Sequence, residues 1–459
     1  PILNFDGQVT GPPHDPIGDV GPNHYVQAVN RAFAVYDKTG ALLAGPTALS
    51  ALFAQFGGPC GSAVTGQGDP IVLYDPLADR WLIGQIATPS HACIAVSQGP
   101  SPLGSYFLTA FDLGGFPDYW KLAVWPDAYY VTANLGGYAL VGAFERARMI
   151  NPGALNPGQA TFHVSGLPGL GFNIILPADL DGSSPPPNGS KGVFYRQVDG
   201  QVFGGADRIE LFEFAADWLG NAFAFTGPTP VPTSAFDMSL CGFLSFACVP
   251  QPPPGKRLDP LNEMGMWRFV YRNFGNHETL LGSFGVDANG SNLHGIRWFE
   301  LRRNATHPWS LFQEGTYAPQ PGASAEHRWA GSIAMDGSGN IALGYAVSGP
   351  SVFPSLRYTG RLVTDPPGTM PQGEQVLIAG ASADAFYSRF GDYFSLNVDP
   401  TDDCTFWLTG EYMGTQAAGG RRTRIGTFKV GSCSSMCGNG VVTAPAETCD
   451  PPGSATCNC

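Results

Sequence analysis

Apolar and polar positions alternate in short runs along most of this chain, and turns built on aspartate, glycine and proline separate the runs. The stretch Ser388–Tyr412, SRFGDYFSLNVDPTDDCTFWLTGEY, shows the plan most clearly. Phe394, Leu396 and Val398 alternate with smaller or polar residues, Asp399-Pro400-Thr401-Asp402-Asp403 carries turn chemistry, and Thr405–Thr409 returns as a second β-rich run. The pattern predicts a hairpin with polar groups at its outer ends. Arg389, Asp392 and Tyr393 precede the first strand, and Glu411 and Tyr412 end the second.

The same plan recurs, and seven units can be marked by the residues that start them: Asp19, Asp69, Asp118, Asp179, Asp259, His327 and Asp392. The shortest step, Asp69 to Asp118, is 49 residues and the longest, Asp179 to Asp259, is 80. A period of that size with three or four strands per unit predicts propeller blades, each stable only when packed against its neighbours. The expected fold is therefore all-β: a seven-bladed β-propeller over residues 1–430, followed by a short disulfide-rich tail over 431–459. An array of β-sandwiches would not explain the recurring strand, Asp turn and aromatic return. Ile2–Phe5 is the strand expected to complete the blade that ends at Val430, since a ring needs one blade shared by both chain ends. Ala143–Met149 is the best helical signal, and the proline clusters Pro185–Pro187, Pro228–Pro232, Pro250–Pro254 and Pro366–Pro371 read as surface loops.

Composition agrees with many short strands: 61 Gly, 41 Pro, 12% aromatic and only 13% charged residues. The formal charge of -13 argues against a nucleic-acid partner, whose phosphates need clustered Lys and Arg. No apolar run approaches the roughly 18 residues of a membrane span, and a monomer is expected. Ten cysteines without CxxC spacing point to an oxidising compartment, so the protein is expected to be secreted and extracellular. The expected pairs are Cys60–Cys93, Cys241–Cys248 and Cys404–Cys433, with Cys437, Cys449, Cys457 and Cys459 pairing inside the tail.

The units GDVGPNHYVQAVN, GDPIVLYDPLADRW, HRWAGSIAMDGSGNIALGY and RFGDYFSLNVDPTDDCTFW resemble secreted bacterial proteins described as sialidase-like, or BNR-type, β-propellers. The resemblance covers roughly residues 3–433 and implies the fold; it implies no particular reaction. The Asp-box pattern Ser-x-Asp-x-Gly-x-Thr-Trp is absent, since Met335-Asp336-Gly337-Ser338-Gly339 has a different glycine spacing. The tail, with Cys437-Gly438-Asn439-Gly440, Glu447, Cys449 and Asp450, resembles a cysteine-rich repeat of secreted myxobacterial proteins.

Two groups of residues are candidates for chemistry. Asp69, Asp118 and Asp392 start strands that converge on the axis of a propeller, where facing carboxylates would hold a structural Ca²⁺ in the central channel. Alternatively each accepts backbone N–H groups at a strand entrance. The alternate oxygen side chains of Asp287-Ala-Asn289-Gly-Ser291 and Asp336-Gly-Ser338-Gly-Asn340 fit tight turns better than calcium loops. The second group is the density of His and Arg in the last three units. His327, Asp392, Tyr393, His277 and Glu411 are the candidate catalytic residues, and Arg328, Arg357, Arg389 and Arg297 are the candidate substrate-binding residues. His294 belongs to the same stretch. Guanidinium groups bind carboxylates bidentately, so the group predicts a site for an acidic polysaccharide. His or Tyr would act as base or acid in a lyase or hydrolase, or Glu411 with Asp392 would form the carboxylate pair of a glycosidase. The alternative is a non-catalytic adhesion propeller that binds glycan or protein. No Gly-x-Ser-x-Gly elbow and no glycine-rich phosphate loop ahead of a helix occurs.

Overall fold

The Ser388–Tyr412 hairpin forms as strands Ser395–Val398 and Phe406–Met413, with Ser395 opposite Thr409 and Val398 opposite Phe406. Its turn is held by side chains. Asp399 accepts the Thr401 N–H, and Asp402 accepts those of Cys404 and Thr405. Every residue of both strands is buried, as expected of strands packed between neighbouring sheets. The computed structural model describes residues 1–9, 13–153, 158–164, 172, 174–319, 325–415 and 420–431. The tail after Gly431 lies outside them, and with it Cys433, Cys437, Cys449, Cys457 and Cys459; the expected boundary between Val430 and Gly431 falls at the end of the last described stretch.

The same antiparallel meander repeats through the described residues, in five four-stranded sheets and one of eight strands. In the eight-stranded sheet, Leu176–Leu180 pairs antiparallel with Gly192–Val198 and parallel with Gly265–Asn273, so a parallel seam joins two sets of four. Each set starts on an inner strand: Ile17–Val20, Gly66–Asp75, Asp118–Val124, Leu176–Leu180, Gly265–Asn273, His327–Met335 and Ser395–Val398. Each inner strand packs on the next, and Ser395–Val398 packs back on Ile17–Val20. The inner strands thus circle one axis, which is the propeller arrangement. Leu3–Asp6 closes the circle by pairing with Arg421–Phe428, Leu3 opposite Thr427, so one sheet holds both ends of the described chain.

Aromatic side chains fill the space between sheets. Trp81, Trp120, Trp267, Trp329 and Trp407 are fully or almost fully buried. A Cβ at Gly84 would come within 2.6 Å of the Trp120 ring, so close approach of the two sheets requires glycine there. Two disulfides, Cys60–Cys93 and Cys241–Cys248, form as expected. Cys404 is also disulfide-bonded, and its expected partner Cys433 lies outside the described residues.

Two local expectations change. Ala143, Phe144 and Glu145 end a strand, Ala139–Glu145, and the helix is only Arg146–Ile150, because pairing with strands on both sides outweighs helix propensity. Pro228–Pro232 lies within strand Ala222–Pro232, not in a loop. That strand is the outer edge of the eight-stranded sheet, where a missing N–H costs no ladder bond. Among the described residues, no helix is long and apolar enough to cross a membrane.

Candidate functional site at the axial mouth

The inner strands do not enter the ring smoothly. Register shifts interrupt Gly66–Asp75 between Gly68 and Ile71, and Asp118–Val124 between Asp118 and Lys121. Another interrupts His327–Met335 between Trp329 and Ser332. At these bulges Asp69, Tyr119 and Ala330 take φ of 46°, 51° and 49°, a left-handed conformation that non-glycine residues hold only when their surroundings fix it. Asp69 is fixed three ways. Its N–H donates to Asn30 Oδ1 at 2.7 Å, its carbonyl accepts from Trp120 Nε1 at 2.6 Å, and its Oδ2 accepts from the Tyr393 hydroxyl at 2.8 Å. Asp69 and Tyr119 are thereby turned out of their sheets toward the mouth of the ring.

There they line a cavity of about 470 Å³ whose wall includes Asp15, Asp69, Asp118, Asp259, Asp392 and Arg389, with Phe116, Phe172 and Phe246 among its apolar residues. Arg389 spans two of the acids. Its Nη2 is paired with Asp392 Oδ2, and its Nε lies 3.5 Å from Asp259 Oδ2. The neighbouring acids raise its pKa, Asp392 most of all. Asp15 Oδ2 accepts from Asn30 Nδ2 at 2.5 Å. Asp15 Oδ1, Asp259 Oδ2 and Asp392 Oδ1 have no hydrogen-bond partner, and neither does either oxygen of Glu263.

Burial and mutual repulsion hold several of these acids protonated far above the ordinary carboxylate range. Desolvation, then Asp392 and Glu263, push Asp259 up to about 8. Desolvation also leads for Glu263, raised to about 7, and for Asp69, raised to about 6 against the lowering effect of the Tyr393 hydroxyl. Asp15 and Asp118 move up for the same first reason. Beneath them lies Lys121, fully buried, with Nζ 3.3 Å from the Tyr119 ring centroid and 3.7 Å from that of Tyr393. Desolvation lowers its pKa to about 7 against the pull of Asp69 and Asp392.

Of the residues singled out in the sequence, Asp69, Asp118, Arg389, Asp392 and Tyr393 come together here. Glu411 lies close by but is fully buried, bound by Arg421 Nη1 at 2.7 Å and His14 Nδ1 at 3.1 Å. The other candidates lie elsewhere. His327 accepts the His294 N–H at Nδ1, and burial lowers both imidazoles to about 4. His277 stacks on Phe274 at a turn. Arg328 and Arg357 share Glu326 and Glu374, and Arg297 pairs with Glu314 at 2.6 Å. Those guanidinium groups answer carboxylates of their own chain. The marker acids Asp19 and Asp179 also serve the fold. Asp19 accepts from Tyr74 N and Asn397 Nδ2, and Asp179 pairs with Arg268.

Asp287 and Asp336 spend their carboxylates on turn N–H groups, Asp287 on those of Asn289, Asn292 and Leu293 and Asp336 on those of Ser338 and Asn340. Among the described residues no group of three His, Cys, Asp or Glu side chains is arranged to hold a metal ion. The positive charge among the axial acids belongs to Arg389 and Lys121. Asp15, Asp259, Glu263 and Lys121 escape a reading for motifs. The available signals were Asp259 as the start of a unit and a lone lysine inside the apolar run Tyr119-Trp120-Lys121-Leu122-Ala123-Val124.

No protein-family model and no curated protein matches the chain. Solved structures align with it at low identity. A mutant of AofleA from Arthrobotrys oligospora is 12% identical, covering 79% of this chain and 86% of that one at a TM-score of 0.37. The AfRom2 CNH domain is 9% identical, covering 94% and 96%, also at 0.37. A GH43 β-1,3-galactosidase with galactodeoxynojirimycin is 10% identical, covering 65% and 93% at 0.33. Similarity this low carries no argument about chemistry, which rests on the site itself.

Proposed function

We propose that this chain is a secreted glycoside hydrolase built on a seven-bladed propeller, counting the eight-stranded sheet as two blades, with its chemistry at the axial mouth. The observation that carries the reading is one guanidinium, Arg389, spanning two carboxyl groups of unlike character in a walled cavity. Asp259, held protonated by burial to about 8, is the general acid that protonates the leaving oxygen. Asp392, ion-paired through Oδ2 and without a hydrogen-bond partner at its buried Oδ1, is the partner carboxylate that activates water or attacks the sugar. A lyase reading draws less support, because His277, His294 and His327 lie away from the mouth and the Tyr393 hydroxyl is engaged by Asp69. An acidic polysaccharide is likewise disfavoured, since Arg297, Arg328 and Arg357 are each paired within the protein. The disulfides fit an oxidising, extracellular setting.

A second reading, a glycan-binding propeller without turnover, is favoured by the exposed aromatics Phe246, Phe386 and Tyr387. One experiment separates them: reducing-end release and unsaturated-product absorbance over a glycan panel. The hydrolase reading expects reducing ends without unsaturated product, and a loss of about 10²–10⁴-fold in Asp259→Asn and in Asp392→Asn with binding retained. Binding with no release from any glycan would leave the lectin-like reading standing and remove the hydrolase.

A further inference from the structure

Two loops beside the axial cavity hold large apolar side chains in water. The loop closed by Cys241–Cys248 carries Phe246, which lines the cavity and is 50% exposed. The segment before Arg389 carries Phe386 and Tyr387, 74% and 52% exposed. That segment is pinned from both sides. Asp384 Oδ1 accepts the Phe386 and Tyr387 N–H groups at 2.7 and 2.9 Å, and Asp384 Oδ2 is held by Arg421 Nε. The same guanidinium lies 5.8 Å from the Tyr387 ring centroid. From the other side come residues 251–259, which continue the disulfide loop. The Asp384 N–H donates to Gln251 Oε1, the Lys256 N–H to the Asp384 carbonyl and the Asp259 N–H to the Ser388 carbonyl, each at 2.9 Å. The last of these bonds sets the aromatic segment against Asp259, which Arg389 faces across the cavity wall.

A ring kept in water by a fixed backbone forgoes the burial that the fold gives its other aromatics. Phe386 and Tyr387 together present roughly 300 Å² or less, well short of the about 800 Å² per partner of a stable protein interface. Flat apolar faces of that size match the C–H face of sugar rings, and they continue a wall that already includes Phe246. We infer that Phe386 and Tyr387 form an aromatic shelf that binds sugar units beyond those held in the cavity, so that the ligand is a glycan chain and not a mono- or disaccharide. The inference rests on the hydrolase reading for the class of ligand and its place at the mouth, and it is tested by binding apart from turnover.

The test is affinity electrophoresis of the full chain in the cold, in native gels cast with soluble xylan, β-glucan, galactan or pectin. Isothermal titration follows with the dimer to the hexamer of each polymer that retards it. Affinity is expected to climb with length, the hexamer binding about tenfold or more above the dimer. Phe386→Ala and Tyr387→Ala are each expected to lose about three- to tenfold on the hexamer and little on the dimer. Phe312→Ala removes an exposed ring from the outer strand His307–Tyr317 and is expected to change neither. Should a shelf variant not fold, the length series on the unmodified chain decides alone. Retardation by none of the polymers, equal affinity for dimer and hexamer, or an equal loss in Phe312→Ala overturns the inference. Length-dependent binding without reducing-end release from any glycan would keep the shelf and remove the hydrolase. Release as efficient from the dimer as from the hexamer, with equal affinity for both, would keep the hydrolase and remove the shelf.

Discussion

At the scale of single residues, the partner of a charged group decides what it can do. Arg328 and Arg389 look alike in the sequence, but Arg328 is 1% exposed and held by Glu374 and Glu326, whereas Arg389 is half exposed and spans two acids in an open cavity. Asp259 keeps its proton because burial penalises the charged carboxylate more than Arg389 relieves it. The folded chain therefore holds that proton where an unfolded one has lost it. Its contribution to stability is fully present below the ordinary carboxylate range and is lost as pH rises through about 8. Lys121 runs the other way: its contribution is present above the ordinary lysine range and is lost as pH falls through about 7. If Asp259 is the acid, kcat/KM for the hydrolysed glycan falls as pH rises through about 8, because the required form is the protonated one. A pH–rate profile checks this, and a limb centred near the ordinary carboxylate range would assign the acid elsewhere. The sequence could show Asp69, Asp118 and Asp392 as strand-starting acids. It could not show that Glu326, Glu374 and Glu314 would neutralise the arginines, because those pairings depend on cross-strand register.

At the scale of elements, the bulged entrances of the inner strands and the closing strand matter most. Removing residues 1–6 deletes Leu3–Asp6 and leaves Arg421–Phe428 as a bare edge. The expected result is a lower thermal midpoint and a tendency to associate, read by differential scanning calorimetry and light scattering. An unchanged midpoint would mean that the closing strand contributes little. Strands and turns were legible in the sequence because their signals are local: period-two alternation, Asp turns and aromatic return strands, as in Ser388–Tyr412. The bulges were not: Asp69, for one, adopts positive φ through contacts with Asn30, Trp120 and Tyr393, which arrive from other sheets. Pro228–Pro232 misleads for a related reason, since only its place on a sheet edge lets a proline-rich segment pair as a strand.

At the scale of the whole molecule, the ring turns distance along the chain into proximity. Asp69 and Tyr393 are 324 residues apart and share a 2.8 Å hydrogen bond, and His14 meets Glu411 across 397 residues. The axis is therefore where acids from several sheets accumulate, and there the protein places its own cations, Lys121 and Arg389, among them. A second cavity of about 840 Å³, lined by Pro185–Pro187 and Phe223, offers a competing place for a ligand. The most direct measurement is a crystal structure of the Asp392→Asn variant soaked with the oligosaccharide that the glycan panel shows to be cleaved. The account predicts sugar in the axial cavity, with its glycosidic oxygen beside Asp259 and a ring near Phe246. Sugar bound in the proline-lined groove, with the axial cavity free of it, would contradict the account.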